Sequence, residues 1–137
     1  MDEQMNGTQP GLAPYLMVRG AADAIAWYQR ALEAQEVVRM PVEGGDKLMH
    51  AELRINGGQL FLSDEFPEYG ASLGDGPRGV TIFLRVDDAD RWYNRAVEAG
   101  ATVRMEIADQ FWGDRFGEVI DPFGHSWAFA SALQKNS

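Results

Sequence analysis

His50 and Glu52 stand two residues apart in "KLMHAELRI", the spacing that puts both side chains on one face of a β-strand. An imidazole and a carboxylate so placed can do acid–base chemistry, the carboxylate setting the ring's tautomer and raising its basicity. The same pair also reads as a half-buried strand histidine satisfied by hydrogen bonds, with no chemical role. The other histidine, His125, follows "DPFG", where its expected task is to cap the turn or contact backbone. A second concentration of chemistry is "DQFWGDR", which gathers Asp109, Gln110, Phe111, Trp112, Asp114 and Arg115 around Gly113. Two rings flanked by hydrogen-bonding groups make a ligand wall or lid. The alternative is a structural Asp–Arg pair that pins the loop while Trp112 is buried. The acids of "SDE" at 63–65 read as solvated strand-end charges.

Composition narrows the field. With no Cys, disulfides, thiolate metal sites and cysteine nucleophiles are excluded. A formal net charge of −9 disfavours nucleic acid and anionic membrane as partners, since both need a basic face. "MDEQMNGTQP" is too polar for a signal peptide, and no apolar run approaches the ~20 residues that span a bilayer. A cytoplasmic protein of 137 residues, folded as one domain, is expected.

The elements that position these residues come twice. "WYQRALEAQEVVRM" begins at Trp27 and "WYNRAVEAGATVRM" at Trp92, 65 residues on, with nine of fourteen positions identical. Each copy lies in the same context. "APYLMV" reads as a strand, "AADAIAWYQRALEA" as a helix, and "EVVRMP", "KLMHAELRI" and "QLFLSD" as strands, the last two joined by the tight turn "NGG". In the second copy "GVTIFLRV" is a strand and "DDADRWYNRAVEAG" a helix stopped by Gly100; "TVRME", "RFGEVID" and "SWAFAS" follow as strands. The fold class is α+β: two tandem βαβββ modules, about 12–64 and about 79–131, with a Gly- and Pro-rich linker at about 65–78.

One helix covers one face of a four-stranded sheet. Met49, Ala51, Leu53 and Ile55 form the row fit for the first helix, and Val80, Ile82, Leu84 and Val86 the row for the second. The opposite rows hold His50, Glu52 and Arg54, and Thr81, Phe83 and Arg85, too polar for a core and too aromatic for plain surface. Two modules side by side curl these rows into a concave cavity with the helices outside. Trp27, Trp92, Tyr28 and Tyr93 belong to packing.

The duplicated module, "AIAWYQRALEA", "MHAELRINGGQLFLSDE" and "DQFWGDRFGEVIDPFGHSWAFA" resemble the vicinal oxygen chelate superfamily, which includes glyoxalase I, bleomycin and fosfomycin resistance proteins and extradiol dioxygenases. The resemblance covers roughly residues 12 to 131 and is strongest to the PhnB-like branch. That branch is sometimes labelled after a demethylubiquinone methyltransferase, but no glycine-rich cofactor loop is present here. The superfamily's catalytic members hold a divalent metal with a His/Glu/Gln quartet from the first and a late strand of each module. Here the first strands offer Ala13, Tyr15 and Met17, and Thr81 and Phe83; the late strands offer Phe61 and Ser63, and Trp127 to Ala130. None is His or Glu, so no metal and no cofactor is expected. The resemblance implies a small-molecule site formed by Tyr15, Arg54, Phe61, Ser63, Thr81, Phe83, Gln110, Phe111, Trp112, Asp114 and Arg115, and a homodimer. The function expected is metal-independent binding or sequestration of a small molecule; the alternative is acid–base catalysis by His50 and Glu52 on a carbonyl substrate, and an interaction domain with a vestigial cavity is disfavoured by the polar concave row.

Overall fold

The computed structural model of the chain describes residues 11–77 and 79–133, so the polar opening stretch weighed against a signal peptide lies outside it. The elements are β1 (Tyr15–Val18), α1 (Ala21–Leu32), β2 (Gln35–Pro41), β3 (Leu48–Ile55), β4 (Gly58–Asp64), β5 (Thr81–Arg85), α2 (Ala89–Glu98), β6 (Thr102–Asp109), β7 (Asp114–Ile120) and β8 (Ser126–Ala132). They form two four-stranded sheets of the same topology, ordered β1-β4-β3-β2 and β5-β8-β7-β6. In each, the first strand runs parallel to the last and the remaining pairs are antiparallel. This is the expected pair of βαβββ modules, curled and unclosed. No described helix is long and apolar enough to cross a membrane.

The two helices begin by different means. Asp88 caps α2 itself, its carboxylate accepting from the Arg91 N–H. In α1 that position is Gly20, which has no side chain to offer. Asp64, buried at the end of β4, accepts instead from the Gly20 and Ala21 N–H groups at 2.8 and 2.9 Å, and from Leu48 N–H at 2.8 Å. Thus a carboxylate read from sequence as a solvated strand-end charge is a buried tie, because the helix end lacked a donor-satisfying group of its own.

Two members of the expected core rows are displaced. Met40 pairs with His50 and Pro41 with Leu48, which leaves Met49 as the extra residue of a β-bulge. The bulge reverses the alternation, so Leu48 is buried and Met49 is 53% exposed. Val80 is exposed because pairing starts one residue later, with Thr81 opposite Ser126. The remaining row members do join the core, with Ala51, Leu53, Ile55 and Val86 buried and Ile82 and Leu84 partly so.

Between the modules the free edges of β1 and β5 face each other across a seam. One cavity, about 550 Å³, is lined by Pro14, Tyr15 and Leu16 from one side and Val80 and Ile82 from the other. Each module's last hairpin turn reaches over to the other's first strand. Asn56 Nδ2 donates to Arg85 O at 2.9 Å, and His125 Nε2 to Met17 O at 2.9 Å, which fixes the proton on Nε2 since a carbonyl only accepts. His125 thus contacts backbone, as its turn position suggested. Beneath the seam Trp27 Nε1 donates to Ala99 O, and Tyr28 reaches from α1 to Asp121 in the second module.

Candidate functional site on the open face

The sheet faces turned away from the helices carry most of the chemistry. In the first module Tyr15 lies opposite Phe61, and Phe61 opposite Glu52, so the rings and His50 share one wall. The Tyr15 hydroxyl is 2.7 Å from His50 Nδ1, and the imidazole stacks on Phe61 with centroids 5.2 Å apart. Partial burial holds the Tyr15 phenol above its ordinary pKa, so it is protonated at neutral pH. In the Nε2–H tautomer of His50 the phenol donates to Nδ1.

Glu52 is not the partner of His50. Its buried carboxylate accepts from Gln59 Nε2 at 2.8 Å and pairs with Arg54 Nε at 3.4 Å. Gln59, directly opposite Arg54 in the β3–β4 ladder, is nearer in practice than a residue two along the same strand, and it captures the acid. The orienting group for His50 is therefore Tyr15. Ser63 is half-buried on this wall and donates to Asp64 O.

The second wall is built from β5, β7 and the loop between β6 and β7. Phe83 and Phe116 lie 6.4 Å apart, and Trp112 stands edge-on to Phe116 at 5.6 Å. Trp112 is 50% exposed, and its indole N–H donates to Asp114 at 3.1 Å. Asp114 is in turn held by Arg85 through two contacts of 3.3 and 3.4 Å, and that guanidinium keeps its carboxyl below the ordinary range. Thr81 donates to Ser126, which also accepts from Arg104. Phe111 projects into solvent at 97% exposure, and Gln110 makes a long contact of 3.5 Å to Ala108 O.

Arg115 leaves the set. β7 places Asp114, Phe116 and Glu118 on the open face and Arg115 on the other, where it pairs with Asp90 of α2 at 3.1 Å and Asp109 at 3.0 Å. Both loop readings are thus partly realised: an Asp–Arg clasp exists, yet it leaves Trp112 uncovered. Sequence reading also missed Phe116 and Glu118, although the alternation applied to β3 and β5 would have found them on β7. Gln59 shares the row of Phe61 and Ser63 on β4 and was legible in the same way; Arg104 was not, because β6 shifts register between Val103 and Met105.

The donor set does not fit the resembled superfamily's metal. The open-face positions of the first and last strands carry Tyr15, Met17, Phe61, Ser63, Thr81, Phe83, Ser126 and Ala128. Among the described residues no three His, Asp or Glu converge where they could hold an ion, short of the three firm ligands such a site needs.

Residues 11–129 match the Glyoxalase/Bleomycin resistance protein/Dioxygenase superfamily. An uncharacterised protein of Mycobacterium tuberculosis is 43% identical over 98% of this chain and 81% of its own length. Among solved structures, protein PA1353 from Pseudomonas aeruginosa superposes with a TM-score of 0.77 at 29% identity, covering 92% of this chain and 100% of its own. A PhnB protein from Bacillus cereus shares the fold, with a TM-score of 0.73 at 18% identity over 90% of this chain and 100% of its own.

Proposed function

The chain belongs to the glyoxalase/bleomycin resistance/dioxygenase superfamily, and on that footing we propose that it binds a small molecule with a flat, aromatic or conjugated body on its open face, without the superfamily's metal. One observation carries this reading: large rings stand uncovered on both walls, Tyr15 at 55% and Phe83 at 49% exposure beside Trp112. Rings held by neighbours yet open to solvent offer contact area at small entropic cost. The polar groups among them, His50, Ser63, Thr81 and Asp114, supply direction. The same uncovered surface, with Met40 and Met105 on the edge strands β2 and β6, supports pairing of two chains as a homodimer. The expected setting is the cytoplasm.

A thermal-shift screen of aromatic metabolites and antibiotics tests the proposal. A hit whose stabilisation disappears in Trp112→Ala and Phe61→Ala supports it; hits indifferent to both substitutions would remove it. The Tyr15–His50 hydrogen bond favours a second reading, acid–base catalysis on a carbonyl-bearing substrate, with Tyr15 rather than Glu52 orienting the imidazole. Turnover lost in His50→Gln while binding persists would support that reading.

A further inference from the structure

Three buried side-chain donors among the described residues have no hydrogen-bond partner: Arg54 Nε, Trp92 Nε1 and Arg95 NH2. They are neighbours. Arg54 and Trp92 line one depression with Glu33, Gln35, Asn56 and Gly57. The Arg95 guanidinium lies 4.5 Å over the Trp92 ring. Buried N–H groups are costly to leave unpaired, so three orphaned donors this close together ask for an acceptor.

The repeat shows what is missing. Trp27 Nε1 donates to Ala99 O at 2.7 Å, just past the end of α2. The counterpart of Ala99 in the first copy, 65 residues earlier, is Ala34, and Trp92 makes no such bond to it. Trp92 is 4% exposed and lines the depression instead. The local charge is also unlike the rest of this acidic chain. Arg54, Arg91 and Arg95 face Glu52, Glu33 and Asp87, three guanidiniums balanced by three carboxylates. Arg54 Nε comes within ion-pair range of Glu52, at 3.4 Å, without making a hydrogen bond to it.

Arg54 and Gly57 also line a seam cavity of about 360 Å³, whose other walls are mostly apolar (Leu12, Leu60, Ile82 and Leu84) and include Gln59 and, from the open face, Phe83. A donor-rich mouth therefore opens into an apolar slot. We infer that this is a second binding site, for a small carboxylate with an apolar body. The carboxylate takes the Arg54 fork, and a turn of that fork opens Trp92 N–H, closed to water in the empty chain, to the same oxygens. The apolar body enters the seam.

Phenylacetate, with phenylacetamide as the uncharged control, tests the site in 1H–15N spectra of the full chain. Phenylacetate should shift the Trp92 indole resonance saturably, and Arg54→Gln should weaken it roughly tenfold or more, the scale of a lost charge-assisted pair. If Arg54→Gln fails to fold, Trp92→Phe, which keeps the ring and removes the N–H, should still lower affinity in calorimetry. Equal response to the amide, no saturable shift by roughly 10 mM, or an ordered water as the only acceptor found at Trp92 would overturn the proposal. So would shifts confined to Trp112 and the open face, which would leave the reading of that face standing.

Discussion

Asp121 is where the chain should be most sensitive to a change of one atom. Its carboxylate is buried and accepts four hydrogen bonds: from Tyr28 Oη at 2.6 Å, Trp127 Nε1 at 2.8 Å, Phe123 N at 2.8 Å and His125 N at 3.0 Å. Two of these hold the β7–β8 turn, and the Tyr28 bond ties that turn to the first module. Burial, and then the charge and hydrogen bond of Asp121, push the Tyr28 phenol well above its ordinary pKa, so it remains a donor. Asp121→Asn keeps the shape and converts one oxygen to an N–H donor. The better orientation leaves Oδ1 on the two backbone donors and turns the amide toward Tyr28 and Trp127. The phenol can rotate to accept; the indole cannot. The three surviving hydrogen bonds become neutral and one buried donor is orphaned, at least about 3 kcal/mol in total, since the orphaned donor alone costs roughly 1–3 kcal/mol. That is a large share of a domain's ~5–15 kcal/mol and corresponds to about 10 °C in Tm. Urea denaturation followed by circular dichroism measures it. Tyr28→Phe should cost about 1.5 kcal/mol, and the double variant less than the sum, since both act on one bond. Asp121→Asn within about 0.5 kcal/mol of the parent would refute the assignment of this carboxylate as the inter-module tie.

Trp112→Ala should cost on the order of 2 kcal/mol in affinity for any open-face ligand with little change in stability, because the ring is half-exposed before binding; quenching of a variant whose sole tryptophan is Trp112 reads this directly. His50→Ala should destabilise by less than the ~2 kcal/mol of a core truncation, since it removes one exposed-face hydrogen bond and a stack on Phe61; denaturant unfolding checks it. Light scattering at tens of micromolar should give the mass of a dimer, and a clean monomer would remove that proposal. Purified protein should carry well under one divalent ion per chain by elemental analysis, with Tm unmoved by chelator; stoichiometric zinc, nickel or iron after dialysis would restore a metal reading.

Architecture was readable because the signals for it are local and doubled. Helical spacing around Trp27 and Trp92, the "NGG" and "DPFG" turns and the alternation in β3 and β5 each report a periodicity set by backbone geometry. The bulge at Met49 was not readable, because a bulge is decided by what the opposite strand can pair with. Partner choice on the open face was opaque for a related reason. Glu52 lies two residues from His50 in sequence, but Gln59 reaches it across the ladder, and Tyr15 comes to His50 from another strand altogether. The buried acids Asp64 and Asp121 look like any strand-end or turn acid until the helix end and the indole they serve are in place.

The two copies agree where they pack and diverge where they meet something else. Trp, Tyr, Arg, Ala and Glu recur in both helices because each helix covers the same kind of sheet. The ends of those helices already differ: α2 carries its own cap, so the serine that reaches Ala89 N–H, Ser131, can be weaker than the Asp64 that must serve α1 alone. Across the seam an amide does in one direction what an imidazole does in the other. On the open face the divergence is complete, with an imidazole, a phenol and a phenyl ring on one wall, and two phenyl rings with an indole clasped by an Asp–Arg pair on the other. A duplicated scaffold with identical walls would present a ligand with the same chemistry twice. Unlike walls let one face supply a proton-bearing pair, Tyr15 and His50, while the other supplies a fixed charge, Arg85 with Asp114. A small molecule held between such surfaces would be oriented by that difference, while the helix-facing rows stay bound to their packing.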